Sequence, residues 1–430
     1  MRPINLAKLN HVLIPSTKTA RDRFRQGWLG RSLAPFAVVL GGLSDEGRAV
    51  ALLAVLVGAF ALDVRHTDTH LLWCTLVALS VASLAARRAY GLSGVRVEVV
   101  TPPRVAVGEA IRFAILLRND TARDHRAIRI RRPYLPWDGA WTTREPRLRR
   151  LPAGTTARVE LEGRFVERGE HHLDSFHVGQ LVPLGLAVGQ PIATTGCRFL
   201  VVPRIARVDR LTLPAARRHQ PGGMPLASKT GDSMELLGLR PYRPGDPVRH
   251  LHARSWARHG IPVVREYQEE YFSRIGVILD TDLVRAEDRG ASDPARLLEA
   301  AISLAAGIVA HLTRGEALID LLVVGDRVHE LTLGRSLGSL EQALDLLACV
   351  EPGPRVDDDA LVRRLAPHLS RLSCVVLVSL AEDDGALAER VRGHGVSCAV
   401  IAVGVASVTH GRDVQTIAVD AIERGEALSI

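Results

Sequence analysis

Lysine is scarce in this chain and its cysteines lack paired spacing, and each observation limits the class of protein to which it can belong. Three of its 55 basic residues are Lys and 52 are Arg, which suggests a GC-rich coding sequence more than Arg-specific recognition. Its five Cys are odd in number and lack any CxxC spacing, which predicts free thiols in a reducing compartment. Charged residues make up 24% against 47% hydrophobic ones, so a disordered chain is excluded. The 430 residues are enough for two or three domains.

The formal net charge of +8 leaves two interpretations, a protein close to anionic lipid and a nucleic-acid binder. No known nucleic-acid-binding motif is visible, so we favour the first and expect no nucleic-acid partner. Gly223 to Thr230 (GMPLASKT) nearly matches a phosphate-binding loop. However, Ser228 replaces the second Gly and no hydrophobic strand precedes the segment. We therefore expect no nucleotide site.

Residues 1–45 form a basic segment without the apolar core and cleavage site of a signal peptide. Two apolar runs follow, Ala49 to Leu62 and Leu71 to Ala86, each shorter than the ~20 residues that span an average bilayer core. Arg is dense before the first run and directly after the second, which places both flanks in the cytoplasm. We predict a multi-pass cell-membrane protein with a transmembrane helical hairpin at 46–88, its connector outside and its soluble domains in the cytoplasm. The alternative is a buried soluble hairpin.

From Val95 onward, apolar residues alternate with polar ones in short segments separated by Pro or Gly. The predicted strands include Ile111 to Leu117, Ala127 to Arg131 and His172 to Phe176. This spacing predicts a β-sandwich domain of immunoglobulin-like kind at 92–205. A cluster of His171, His172 and His177 suggests a metal site, but we favour a surface strand because alternation turns His172 away from its neighbours.

A linker and motif region is predicted at 206–270. Its densest stretch begins with a turn at Pro244-Gly245-Asp246-Pro247. One short basic helix is then predicted over 248–258, with Asp246 as its N-cap, followed by a strand at 261–265.

Apolar runs alternate with amphipathic helices after Tyr271, which predicts a doubly wound, Rossmann-like α/β domain at 271–430. The predicted strands are Ile275 to Leu279, Ala317 to Val324, Arg327 to Thr332, Cys374 to Leu380 and Ser397 to Val403. The predicted helices are Pro294 to Leu312, Leu337 to Val350, Asp357 to Ser370 and Gly385 to Gly393.

One series of residues in the motif region resembles the signature of the domain of unknown function 58 (DUF 58) family. The matching positions are Arg240, Tyr242, Gly245, Asp246, Arg249, His252, Arg258, Arg265 and Glu266. Ala253 stands where the family usually has Trp. The resemblance implies an N-terminal hairpin, a von Willebrand factor type A-like domain after the motif, and partnership with a MoxR-type AAA+ ATPase and its client proteins.

The type A resemblance also implies a divalent-cation site at the carboxyl edge of the sheet. Asp280 matches its first ligand, Asp282 stands where a Ser is expected, and Ser336 stands where a Thr is expected. Val284 offers no oxygen at the second Ser position. A hard cation such as Mg²⁺ is coordinated by six oxygen ligands. We therefore expect at most weak binding by this degenerate set of residues and favour a metal-free site.

Two other interpretations remain open. Gly334 to Gly338 fits the G-x-S-x-G pattern of a serine hydrolase with Ser336 as nucleophile, a pattern that also arises by chance. The motif arginines either clamp an anion, such as a polyanion or nucleic acid, or pair internally with acids at Glu235, Asp246 and 266–270. Internal pairing is favoured, with Arg249 pairing to Asp246 or to the 266–270 group. We expect a membrane-anchored scaffold protein rather than an enzyme.

Overall fold

The computed structural model describes most of the chain, in two compact units, Met1–Arg204 and Ile205–Ile430. The described ranges are 41–61, 67–213, 236–246, 248–267, 274–288, 293–315, 317–334, 337–355, 357–380, 386–404, 408–410 and 414–430, with a few residues between 23 and 32. The sequence at 223–230 that nearly matches a phosphate-binding loop lies outside these ranges. Ser336 and most of the basic N-terminal segment also lie outside them. The protein is a mixed α/β, multi-domain chain.

The first unit begins with a helical hairpin, α1 (Asp45–Ala61) and α2 (Thr67–Ala86), followed by a 3-10 turn at Arg87–Ala89. The Ser44 hydroxyl accepts a 2.9 Å hydrogen bond from the Gly47 amide, as an N-terminal helix cap does. The two helices pack together at Gly58, where an added Cβ would lie 2.6 Å from Trp73 Nε1. The apolar runs are thus helices, each longer at its amino end than the run itself.

Short strands build the rest of the first unit. They are β1 (Val95–Val100), β2 (Arg104–Ala106), β3 (Ala110–Asn119), β4 (His125–Arg131), β5 (Gly139–Trp141), β6 (Arg147–Leu151), β7 (Thr156–Phe165), β8 (Gly169–Leu173), β9 (His177–Gln180), β10 (Ile192–Ala193) and β11 (Cys197–Val202). Two four-stranded sheets have the orders β1-β3-β7-β5 and β10-β9-β4-β6, and a third has the order β2-β11-β8.

The three sheets share one apolar core. Phe113 and Ile115 from β3, Ile130 from β4 and Val201 from β11 are all fully buried there. This core explains the period-2 pattern, because alternate residues of each strand turn inward. The strand predicted at His172 to Phe176 is wrong beyond Leu173. Phe176 lies in a loop, held by a 2.9 Å bond from its amide to the Thr194 hydroxyl.

The second unit contains the remaining strands and helices. Its strands are β12 (Val208–Arg210), β13 (Leu236–Pro241), β14 (Val263–Tyr267), β15 (Arg274–Asp280), β16 (Leu318–Val324), β17 (Val328–Leu333), β18 (Cys374–Ser379), β19 (Ser397–Gly404), β20 (Val408–His410), β21 (Val414–Ala418) and β22 (Leu428–Ser429). Its helices are α3 (Ala253–His259), α4 (Leu283–Asp288), α5 (Pro294–Leu312), α6 (Leu340–Ala348), α7 (Asp358–Leu369), α8 (Ala386–Arg392) and α9 (Val419–Arg424).

A seven-stranded sheet forms the centre of this unit, in the order β17-β16-β15-β18-β19-β21-β20. The pairs from β16 to β21 are parallel and both edge strands are antiparallel. Helices α7 and α8 share one core cluster with the sheet, while α5 packs against β15, β18 and β19. Burial under helices explains why β18 (CVVLVS) is apolar at nearly every position.

The chain leaves β15 toward β16 on one side, and β18 lies on the other side of β15. The carboxyl end of β15 is therefore a topological switch point, where ligands bind in open α/β sheets. Asp280 is the last residue of this strand.

Candidate functional site

The family-like motif folds as a β-hairpin of β13 and β14. The long connection between these strands also contacts β14, at Leu251 and His252. Strands β13 and β14 pair antiparallel, with Arg240 opposite Val264. The Tyr242 amide donates to the Pro262 carbonyl at 2.9 Å, and the His252 amide donates to the Val263 carbonyl at 2.8 Å. The connection between the strands is thus fixed at both ends by backbone hydrogen bonds.

Arg240 and Asp246 form the ionic contact that closes the turn. The two guanidinium amino groups of Arg240 donate to the two carboxylate oxygens of Asp246 at 2.7 and 2.9 Å. The Arg243 amide donates to the same carboxylate at 2.7 Å. The hydrogen bonds from Arg240 and from the Arg243 amide lower the pKa of Asp246 to about 2. Asp246 therefore is not the helix N-cap that we predicted, because its carboxylate is already bound to the preceding turn.

The predicted helix at 248–258 is in fact two pieces, a 3-10 turn at Val248–His250 and α3. His252 is the N-cap of α3, and its Nδ1 lies 2.7 Å from the Ser255 hydroxyl. Gly260 ends α3 in the left-handed conformation, with φ of 70°. The break between the pieces arises because Leu251 and His252 make strand-like contacts with β14.

Several motif side chains lie on the surface of this connection. We call Arg249, Arg254, Trp256 and Arg258 the motif patch; all four are exposed, and 43% of Trp256 is accessible. Arg249 was predicted to pair with Asp246 or with the 266–270 group. The two short side-chain hydrogen bonds to the Asp246 carboxylate come from Arg240. Residues 268–270 lie outside the described part of the chain, so the pairing of Arg249 stays a prediction.

At the switch point of the large sheet, Asp280, Thr281 and Asp282 are all buried. Asp280 Oδ1 accepts a 3.1 Å hydrogen bond from the Asp282 amide. The Thr281 hydroxyl donates to the Val324 carbonyl at 2.6 Å, and its own carbonyl accepts from the Gly353 amide at 2.8 Å. The turn after β15 is therefore held by hydrogen bonds to the end of β16 and to the loop at Gly353.

This turn supplies only part of the cation site that the type A resemblance implies. Asp280 and Asp282 lie together as predicted, but Ser336, the third predicted ligand and the candidate hydrolase nucleophile, lies outside the described residues. Within the described part of the chain, no group of three His, Cys, Asp or Glu residues could hold a metal ion. Two carboxylates supply only part of the six-oxygen shell of Mg²⁺, which waters usually complete.

A buried ion pair that we did not predict lies at the opposite end of the same strands. Arg274 binds Asp320 through Nε at 2.6 Å and Nη2 at 2.9 Å, and Asp320 is fully buried. The Thr332 hydroxyl donates to the Asp320 carboxylate at 2.7 Å. The signal was present in the sequence, because Asp320 interrupts the apolar strand LIDLLVV.

The hairpin of the first unit is docked onto the sandwich through close backbone contacts. A Cβ on Gly189 would lie 1.6 Å from the Tyr90 carbonyl oxygen, so the segment after α2 passes directly over Gly189. Arg129, almost fully buried, binds Asp45 at the start of α1 and also binds Glu145 at 2.7 Å. These contacts fix the base of the hairpin to the strands below it.

The histidine group of the sandwich also differs from our interpretation. His171 is not a surface residue; only 11% of its side chain is exposed, and it stacks on Phe199. Its Nε2 lies 2.6 Å from the Asp138 carboxylate and its Nδ1 lies 3.0 Å from the Gly169 carbonyl. The surface interpretation failed here because His171, on β8 of the third sheet, packs against Phe165 and Phe199.

Among the described residues, two stretches are long and apolar enough to cross a membrane, Asp68–Ala89 and α5. Helix α5 is mostly buried in the second unit, whereas only 6% of the first stretch is buried. Helix α1 has 17 residues, and its Leu52, Val55 and Leu56 are exposed. The length and exposed apolar side chains of the hairpin are therefore compatible with association with a membrane.

Comparison with curated proteins found no match. Among solved structures, E. coli alpha-2-macroglobulin aligns with a TM-score of 0.21 and 13% identity, over 28% of this chain and 8% of that one. Proximal thread matrix protein 1 from the mussel byssus aligns with a TM-score of 0.24 and 13% identity, over 36% and 43% of the two chains. The chain thus spans less than half the length of either structure.

A family model matches residues 238–426, the part that holds the Arg240–Asp246 pair and the seven-stranded sheet. The family-like series of residues identified in the sequence falls inside this match. Residues 238–426 of the chain thus match the family described as protein of unknown function DUF58.

Proposed function

We propose that this protein is a membrane-anchored scaffold that binds a MoxR-type AAA+ ATPase through its motif patch and presents client proteins to it. The motif patch carries the proposal. It combines three exposed arginines with a half-exposed Trp on a short helix, and Arg and Trp are the residue types that dominate binding energy in protein interfaces.

The supporting structure beneath the patch is rigid. The Arg240–Asp246 pair fixes the turn, and β14, with Val263 and Val264 buried, fixes the other end of the connection. A preorganised surface loses little conformational freedom on binding, which favours affinity. Arg guanidinium groups suit an acidic partner surface, because they form bidentate bonds with carboxylates.

Multi-pass membrane insertion belongs to the same proposal. The exposed apolar side chains of α1 and α2, such as Leu52, Val55 and Leu71, would contact lipid. At 1.5 Å per residue, the 17 residues of α1 reach about 25 Å and the 20 of α2 reach about 30 Å. A bilayer core of about 30 Å suits α2 and requires slight thinning or snorkelling at α1.

Two finer fold assignments are proposals as well. The sheets that enclose one core support an immunoglobulin-like sandwich for the first unit. The sheet order and the buried turn after Asp280 support a von Willebrand factor type A-like second unit with a degenerate cation site. Such a domain would act by binding proteins, in agreement with a scaffold role.

The ATPase proposal is tested by co-purification of the full-length protein with a MoxR-type AAA+ ATPase from the same cells. The variant Arg254→Glu/Arg258→Glu should lose the ATPase, and Trp256→Ala should retain much less of it. Arg314→Glu, an exposed Arg elsewhere on the second unit, is the charge-matched control and should bind as wild type. Equal recovery with the double variant and the control would refute the motif patch as the docking surface.

Insertion is tested by cysteine labelling in intact cells, after the exposed Cys74 and Cys349 have been replaced. Cysteine introduced at Thr67, next to the connector, should react with an impermeant maleimide. Cysteine introduced at Arg314 should react only after lysis. Labelling of position 314 but not of position 67 would show that the orientation is opposite to the proposed one. Release of the protein from membranes by alkaline carbonate would show that the hairpin is not inserted.

A further inference from the structure

A basic cavity of about 350 Å³ lies at the base of the hairpin, inside the first unit. Four arginines line it, Arg48, Arg87, Arg129 and Arg131, against a single aspartate, Asp45. His177 lies at its rim on β9. The motif patch and the sheet edge do not contribute to this cavity.

The charges of Arg87 and Arg131 are directed at neutral groups. Arg87 Nε donates to the Val188 carbonyl at 2.7 Å, and Arg131 Nη1 donates to the Gly41 carbonyl at 3.2 Å. These bonds hold both guanidinium groups in place without cancelling their charge. Arg129, by contrast, is paired with Asp45 and Glu145 and lies 3.8 Å from Glu46. Asp45 also lies 3.6 Å from Arg48, so the four arginines meet three carboxylates. The cavity therefore keeps net positive charge in a partly enclosed space, where an anion is attracted more strongly than in open water.

Gly42 leaves room for the Arg87 guanidinium at the cavity wall. A Cβ on Gly42 would lie 2.1 Å from Arg87 Nη1, so the guanidinium rests against the bare backbone. The Val188 amide donates to the Gly42 carbonyl at 2.9 Å, which joins the segment before α1 to the loop after β9. The arginines are consequently held by fixed backbone, as expected of a built site.

The location of the cavity indicates which kind of anion would bind in it. Arg48 lies in the first turn of α1 and Arg87 directly follows α2, so both hairpin ends reach the cavity. An open apolar groove runs along α2 from Leu71 to Ala86 and ends at Tyr90 and the Val182–Leu184 segment. Leu184 is 76% exposed there although its φ is +71°, a conformation that costs energy for a non-glycine residue. A bilayer around the hairpin would place its headgroups at this level.

We infer that the arginine cavity binds the phosphate of an anionic phospholipid headgroup, with an acyl chain of that lipid lying along the apolar α2 groove. The inference rests on the proposed membrane insertion of the hairpin. Arg87 and Arg131 would donate charge-assisted hydrogen bonds to the phosphate oxygens, and the Leu184 side chain would lie among the acyl chains. A zwitterionic lipid carries a choline cation beside its phosphate and would bind less well.

The test uses the full-length protein in an uncharged detergent, with three soluble probes: dihexanoyl-phosphatidylglycerol, dihexanoyl-phosphatidylcholine and inorganic phosphate. Isothermal titration should give saturable binding of the phosphatidylglycerol, at least ~10-fold tighter than of the phosphatidylcholine. Arg131→Gln should weaken that binding by about 10-fold, the effect of one charge-assisted hydrogen bond. His177→Glu should weaken it similarly by placing a carboxylate at the rim without removing an arginine.

Arg88→Gln is the matched control, because Arg88 is the exposed neighbour of Arg87 and does not line the cavity. It should bind the phosphatidylglycerol as wild type does. Equal binding of both lipids, or full binding by both Arg131→Gln and His177→Glu, would overturn the inference. Inorganic phosphate binding as tightly as the lipid would also overturn it, by assigning the cavity to a free anion. This titration does not depend on topology, so carbonate extraction can reject insertion separately.

Discussion

Gly47 and Leu186 approach so closely that a Cβ on Gly47 would lie 1.8 Å from the Leu186 carbonyl oxygen. The same carbonyl accepts a 3.0 Å hydrogen bond from the Ser44 amide, and Ser44 also caps α1. The Leu186 carbonyl therefore contacts the start of the hairpin at both Ser44 and Gly47. The hairpin is attached to the sandwich as a fixed body, not through a flexible tether.

Gly47→Ala should therefore destabilise the first unit, because the new methyl group meets backbone that cannot rotate away. Inserting a methyl group into a well-packed contact costs about 1–3 kcal/mol. Thermal unfolding of the detergent-solubilised protein should show a Tm lowered by ~2–4 °C for each kcal/mol. Gly91→Ala is the control, because no atom lies within 4 Å of a Cβ placed there. Equal melting of the two variants would show that the contact is not closely packed.

Asp320→Ala should be among the most damaging single changes in the second unit. It removes the partner of Arg274 and leaves that guanidinium without its two short bonds in a partly buried place. Breaking a buried pair on one side costs about 3–5 kcal/mol in unfolding free energy. Denaturant unfolding of the full-length protein measures it.

Asp209→Ala is the control for Asp320→Ala, because Asp209 pairs with Arg207 at an exposed position. Its loss should cost roughly 0–1 kcal/mol. A cost for Asp320→Ala as small as that of Asp209→Ala would mean that the Arg274 side chain reaches water when its partner is removed.

Much of the second unit was predictable because its strands are buried on both faces and its helices are long. Helix α5 has the bounds predicted for it, with Asp293 as N-cap and Pro294 in the first turn. Short edge strands such as β12, β20 and β22 were not predicted, because two or three residues are too few to show a hydrophobic periodicity. Their pairing depends on distant partners, as for Val208 with Leu428.

The candidate sites were less predictable for a different physical reason. The sequence indicated that Asp246 would bind a nearby group, but both an N-cap and an Arg clamp satisfy its local geometry. Which one forms depends on the β13–β14 register, which places Arg240 opposite Val264 and above the turn. The arginine cavity had no local signal at all, because it joins residues near 45, 87, 130 and 188 that lie far apart in the chain.

Arg240→Ala should lower the Tm of the protein, whereas Arg249→Ala should leave it nearly unchanged. Arg240 holds Asp246 through two hydrogen bonds, and only a third of its side chain is exposed. Arg249 is exposed, and surface changes of this kind are usually within about 0.5 kcal/mol. Differential scanning fluorimetry of both variants measures which of the two has the lower Tm. Greater destabilisation by Arg249→Ala would show that Arg249 contributes more to the stability of this region than Arg240 does.

The His171–Asp138 pair should make the stability of the sandwich depend on pH. Burial alone would lower the pKa of His171, but hydrogen bonds from its ring to Asp138 and to the Gly169 carbonyl outweigh burial, with added attraction from Asp138 and Glu167. The pKa is therefore raised above its ordinary value of 6.5. A raised pKa means that the folded state binds the proton more tightly than the unfolded state does.

The contribution of the pair should accordingly be complete below about pH 6.5 and be lost as the pH rises through the raised pKa of His171. Asp138→Asn should remove this contribution and lower the unfolding free energy at about pH 5.5 by roughly 1–3 kcal/mol, the value of a hydrogen bond to a charged group. The measurement is denaturant unfolding of wild type and variant from acid to mildly alkaline pH. The difference between them should shrink as the pH rises, whereas His329→Gln, at an exposed position, should leave the wild-type pH profile intact. A difference that stays constant across the range would show that His171 is neutral in the folded protein.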